Sequence, residues 1–205
     1  MWLEEVRPED VRGRTATDLR LPHDPVGALA IARLIRHPWY RCQALTSVAE
    51  TLTSKGDALR ILEESLAAAH EQHEPNRVVT VASWPLQCLV KIDKNGAEKE
   101  VEALLSLTAT ESHGLRRLHA LNALLGAIAQ DAPLRERVAK PFLATANMCF
   151  GWRAERTIAF MAQYIATIDL HLAKRMIASR KPNRFINRAR HTIRMIEMDK
   201  GFMNH

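Results

Sequence analysis

The chain has 205 residues, of which 47% are hydrophobic, 25% charged and only 5% aromatic, a globular composition in residues that favour helix over sheet. No apolar run approaches the ~18–20 residues that cross a bilayer, and the start MWLEEVRPEDVRGR lacks the apolar centre of a signal peptide, so a cytoplasmic protein is expected. The net charge of +6 is unevenly placed: residues 170–205 carry nine Lys/Arg against two acids, and the other 169 residues together carry −1.

Residues 1–24 fit no helix pair. Pro8, Gly13, Pro22 and scattered charges predict an arm of short turns. Asp24-Pro25 then reads as a helix start, because aspartate caps and proline is pre-set for the first helical position. That helix spans about 26–36 and stops at His37-Pro38, where the residue before proline is pushed out of helical geometry. A second helix follows to about Thr53. Further pairs are expected at 56–73 and 76–92, 97–108 and 114–129, 132–148 and 152–168, and 169–179 and 183–198, with 199–205 as a frayed end. Pro75-Asn76-Arg77 and Pro182-Asn183-Arg184 open two of these helices with the same words. Asn95-Gly96 reads as a left-handed C-cap and Ser112 as an N-cap. Pro85 falls inside a helix, where it removes a backbone donor, and predicts a kink or short break near Trp84.

An apolar pattern at offsets 4, 7, 8 and 11 recurs after Arg41, Arg77, Arg117, Ala154 and Phe185, at spacings of 36, 40, 37 and 31 residues. Those offsets share one helix face, and the period is that of stacked helical repeats. Arg41-Cys-Gln-Ala-Leu and Arg117-Leu-His-Ala-Leu, with Pro38 before the first, resemble HEAT-type repeats over residues 25–198. The period is nearer tetratricopeptide length, but the tetratricopeptide signature is absent; Arg153 and Arg184 stand one residue early in the later copies. The resemblance implies an all-α fold, a right-handed α-α superhelix of about five antiparallel helix pairs. It also implies a concave face, lined by the second helix of each pair, that binds a protein or peptide and in some members nucleic acid.

Stepping 100° per residue puts Arg41, Arg77 and Arg117 on the buried side. Their stems are expected to pack there while the guanidinium reaches carbonyls at the end of a neighbouring helix. The opposite face, at offsets 2, 5 and 9, has small residues in the middle: Thr46, Ala82, Asn122 and Ala159. They make either a groove for a guest or a close helix stack. Arg156 lies on that face, and in the last copy so do Asn187, Arg190 and Arg194. Arg190 and Arg194 are one turn apart and point together, a pair suited to gripping carboxylate or phosphate. Arg184 and Arg188 add to this basic end. The other reading is a solvated terminal cap.

Cys42, Cys88 and Cys149 are far apart, without a CxxC, and read as buried thiols. No phosphate loop, nucleophile elbow or HExxH occurs. His70 and His73 read as a surface turn, and no cofactor or metal is expected. Some HEAT-like proteins are DNA glycosylases; that likeness needs aromatic rings beside a carboxylate, and no acid recurs next to Trp39, Trp84 or Trp152 in the sequence. Trp39 and Trp152 precede helices and read as staples between them. The chain therefore reads as a non-enzymatic scaffold for an acidic protein or peptide, with nucleic-acid binding through residues 174–194 as the alternative.

Overall fold

The computed structural model describes residues 5–202, which form eleven helices and no strand. The chain divides into two compact units, Met1–Thr110 and Glu111–His205. The first contains α1 (Pro8–Arg20), α2 (Pro25–Leu34), α3 (Pro38–Thr51), α4 (Lys55–His70), α5 (Pro75–Ile92) and α6 (Lys94–Thr110). The second contains α7 (Gly114–Ala127), α8 (Ala132–Met148), α9 (Trp152–Ala166), α10 (Leu170–Ile177) and α11 (Arg184–Phe202).

Packing follows chain order throughout the first unit, and in the second at every step but α8 to α9. In the first, every helix packs on the next, and α3 also touches both α1 and α5. In the second, α9 packs on α7, α10 and α11, while α8 packs on α7 and more lightly on α10. The odd-numbered helices therefore form a row in each unit. The recurring apolar offsets supply much of the interior: Leu45, Val48, Val81, Leu121, Leu124, Ile158, Ile165 and Ile193 are all buried. Each such side chain contributes about 1.5–3 kcal/mol through removal from water.

The segment expected to be an arm is a helix instead. Pro8 sits in the first turn of α1, where its missing N–H costs nothing. Asp10, 4% exposed, accepts the N–H of Arg7 at 3.1 Å and that of His37 at 3.0 Å, tying α1 to the start of α3. Gly13 is a close-approach residue rather than a breaker, since a Cβ there would lie 2.9 Å from Ile35 Cγ1. At the other end, α11 continues through Phe202, so residues 199–202 are helical; 203–205, like Met1–Glu4, lie outside the described residues.

Pro85 does not interrupt α5, which runs from Pro75 to Ile92. Without a proline N–H, the Val81 carbonyl lacks its helical donor, and the Cys42 thiol donates to it at 3.6 Å. Two turn readings are corrected. Asn95 and Gly96 lie in the first turn of α6, with the Gly96 N–H donating to Asp93 Oδ1 at 3.1 Å, and no left-handed residue occurs there. His113, not Ser112, caps α7 by accepting the Arg116 N–H on Nδ1. The repeated Pro-Asn-Arg also serves two registers. Pro75 is the first residue of α5, whereas Asn183 accepts the Phe185 and Ile186 N–H groups at 2.9 and 3.1 Å ahead of α11.

Two of the three opening arginines, Arg41 and Arg117, reach carbonyls as expected, whereas Arg77 is half-exposed and pairs with Glu74 at the start of its own helix at 2.9 Å. Arg41 donates to the carbonyls of Ile35 and Arg36, both at 3.2 Å, and pairs with Glu71 at 2.5 Å. Arg117 donates twice to the Glu111 carbonyl, once at 2.8 Å. Arg117→Ala should cost about 1.5–3 kcal/mol, the range for hydrogen bonds from a charged group. Urea unfolding checks this; a loss below about 0.5 kcal/mol would show that the bonds are replaced by water.

Candidate partner-binding surface on the second unit

Charge separates the units more sharply than it separates the tail from the rest. Residues 111–205 hold sixteen Lys/Arg and seven Asp/Glu, a net +9, which leaves −3 for residues 1–110. Many of the tail cations are turned inward or paired. Arg180 is buried, Lys174 meets Glu197 at 2.5 Å, and Arg175 meets Glu136 at 3.5 Å.

The six residues singled out from the sequence do not form one site. Arg190 and Arg194 line a groove of about 360 Å³ between α10 and α11, beside Lys174 and Glu197. Arg190 is committed to structure there, donating to the Arg180 carbonyl at 2.8 Å. On the far side of α11, about 160° round from that pair at 100° per residue, Thr192 meets α9 by donating to Gln163 at 3.2 Å. Asn187 and Arg188 are exposed, and the Arg184 guanidinium lies 4.6 Å over the Phe185 ring. Arg156 stands apart from all of these, on α9.

Three of the four small positions are closed, and the fourth, Asn122, is half-buried. Thr46, Ala82 and Ala159 are buried, and Thr46 bonds to Ser65 of α4 at 2.8 Å. The flanking positions Val79 and Leu86 of α5 are fully buried too. The small side chains serve close helix stacking.

What surrounds Arg156 is a surface the sequence did not disclose. Stepping 100° per residue along α9 places Trp152, Arg153, Arg156, Phe160 and Tyr164 within an arc of about 120°. All five are exposed: Trp152 at 56%, Phe160 at 54% and Tyr164 at 42%, with both arginines in the same class. The Arg153 and Arg156 guanidinium carbons each lie 5.3 Å from the centre of the Trp152 ring, within cation–π range. Trp152 is therefore not the staple expected from its place before a helix; Trp39 is, packing edge-on against Trp84 at 5.8 Å. The charges of both arginines also reach His119, exposed on α7. Partial burial first, then the charges of Arg156 and Arg153, hold its pKa below the ordinary value. Exposed Trp, Phe and Tyr beside arginine is the composition of interface centres rather than of ordinary solvated surface. No protein-family model, curated protein or solved structure matches the chain.

Reactive chemistry is poorly served elsewhere. Burial pushes the Cys42 and Cys88 thiols up to about 12 and raises Cys149 as well, far from thiolate reactivity. One polar cavity of the first unit brings Trp84 and Glu50 together with Arg14, Gln43 and Gln87, a meeting the sequence did not show. Its volume of about 170 Å³ is below the ~300–1,000 Å³ of small-molecule sites. Glu50 is engaged there by the Cys88 thiol at 3.1 Å. His70 and His73 do not pair with each other in a metal-like group; His70 Nε2 meets Glu100 Oε1 at 2.8 Å.

The two perturbed histidines give opposite pH signatures. Glu100 raises the pKa of His70, so this bridge between α4 and α6 stabilises fully below about pH 6.5 and fades as pH rises through the raised value. The pKa of His119 is lowered, so its unfolded form binds the proton first and the second unit loses stability as pH falls below about 6.5. His70→Gln should therefore destabilise more at pH 5.5 than at pH 8, whereas His119→Gln should relieve a loss seen only at the acid end. Thermal unfolding at both pH values checks the pair; identical pH slopes for all three proteins would contradict it.

Proposed function

We propose that this chain is a non-enzymatic, HEAT-like helical scaffold that binds an acidic polypeptide segment on the second unit. One observation carries the reading: a stripe of exposed aromatic and arginine side chains along α9, in a unit of net charge +9. Apolar packing on Trp152, Phe160 and Tyr164 would supply affinity, and the arginines would supply steering and register. The proposed contact surface thus moves from the Arg190–Arg194 pair to the Arg153–Arg156 pair.

Two charge reversals separate these sites. Arg153→Glu/Arg156→Glu should lose acidic partners recovered with the wild-type chain and then shown to bind directly as purified peptides. Arg190→Glu/Arg194→Glu should keep them. The opposite pattern would return the site to the α10–α11 groove. Nucleic-acid binding is less well supported, because Arg180, Arg190, Lys174 and Arg175 are engaged within the protein and leave a broken cationic track. A gel shift with duplex DNA or RNA at ~50 mM salt that vanishes steeply as salt rises would favour it instead.

A further inference from the structure

The Trp152 cluster has a charge arrangement that its surroundings do not balance. Arg153 and Arg156 both rest on one indole ring, each 5.3 Å from its centre, and like charges that share a platform raise each other's energy. The carboxylate nearest in sequence, Glu155, turns away: its Oε1 is 3.0 Å from Arg180 on the buried side. Among the described residues no carboxylate pairs with Arg153 or Arg156. The positive end of α9 adds to the field, since its N-cap, Gly151, offers no side-chain acceptor to the first N–H groups. His119 stands exposed on α7, the helix that packs on α9, close enough for both guanidinium charges to be felt.

We infer that Arg153, Arg156 and His119 form a receptor for one phosphoryl group, carried by a phosphorylated side chain of the bound polypeptide. The inference rests on the reading of the second unit as a polypeptide-binding surface. The chemistry distinguishes phosphate from carboxylate by charge and shape. Two guanidinium groups and an imidazole that gains a proton on binding match a monoester of about −1.5 to −2 charge. A carboxylate supplies only −1. Three phosphate oxygens also accept the forked donors of two arginines at once. Trp152 would form the apolar wall beside the phosphorylated residue, and Phe160 and Tyr164 would take its apolar neighbours. A nucleic-acid phosphodiester, at −1 and repeated along a strand, calls for a row of cations, whereas here two arginines share one aromatic ring.

The intact protein is titrated with one short peptide in three forms, carrying serine, glutamate or phosphoserine beside a leucine pair, and with a single-stranded oligonucleotide. The phosphoserine form should bind about tenfold or more tightly than the glutamate form, and Arg153→Gln/Arg156→Gln should remove that preference without changing the circular dichroism. Inorganic phosphate alone should raise the His119 titration midpoint, read by its ring-proton resonance, by about half a unit or more in wild type, and should not in the double variant. Equal binding of the glutamate and phosphoserine forms would overturn the phosphoryl receptor and leave the acidic-partner reading standing. An unmoved His119 overturns the receptor by itself. Failure of all three peptides to bind would overturn both, and tighter binding of the oligonucleotide would transfer the site to nucleic acid.

Discussion

Arg180→Met is expected to destabilise the second unit by about 3–5 kcal/mol, the cost of leaving one member of a buried ion pair alone. The Arg180 side chain is 5% exposed and that of its partner Glu155 is 15% exposed. The guanidinium donates to the Cys149 carbonyl at 2.9 Å, to the Ala146 carbonyl, and to Glu155 Oε1 at 3.0 Å. It thus joins the end of α8 to the first turn of α9, and its own carbonyl receives Arg190 of α11. Methionine fills much of the space but leaves the carboxylate and the Cys149 carbonyl without that donor, while the Ala146 carbonyl keeps the Cys149 N–H at 3.0 Å. Adding Glu155→Leu should recover a large part of the loss, because an apolar pair of similar volume is often as stable as a buried ion pair. Guanidinium chloride unfolding of the single and double variants measures both. A single-variant loss below about 1 kcal/mol would mean that water replaces Arg180.

Trp152→Ala should do the reverse, leaving the fold almost untouched and weakening partner binding by about 2 kcal/mol or more, near thirtyfold. The ring is 56% exposed, so its truncation opens no core cavity, and surface changes of that kind fall within about ±0.5 kcal/mol. It also removes the platform on which Arg153 and Arg156 rest, so their side chains would have to be ordered by the partner instead. Equal affinity of wild type and variant for an acidic peptide, at unchanged thermal stability, would remove Trp152 from the surface.

The helical framework was legible because burial imposes a period. The recurring apolar offsets from Leu45 to Ile193 marked the second helix of each of five pairs, the ten expected helices lie within a few residues of observed ones, and Asp24-Pro25 and His37-Pro38 marked real boundaries. The eleventh, α1, was hidden because Pro8 and Gly13 look like breakers when their neighbours are unknown. In the fold one is a first-turn proline and the other accommodates Ile35. Pro85 misled in the same way, since nothing local shows that Cys42, far away in sequence, supplies a donor to Val81.

The surface was less legible. Arg156 lay at an outward offset, and that much could be counted. Phe160 and Tyr164 stood at offsets to which the count gave no face; only the packing of α9 on α7, α10 and α11 decides which arc of the helix is left uncovered. Arg190 and Arg194 shared the outward offsets, but α11 rests on both α9 and α10, and the pair faces the second of these. Counting along one helix cannot tell which of two neighbours a side chain will meet.

The most direct test is an amide chemical-shift map of the labelled protein as an acidic peptide containing Phe and Leu is added. The account predicts that the largest shifts, saturating with peptide, fall on Trp152, Arg153, Arg156, Phe160 and Tyr164 and on His119 beside them. Shifts confined to the first unit or to the Arg190–Arg194 groove, or none at millimolar peptide, would contradict it.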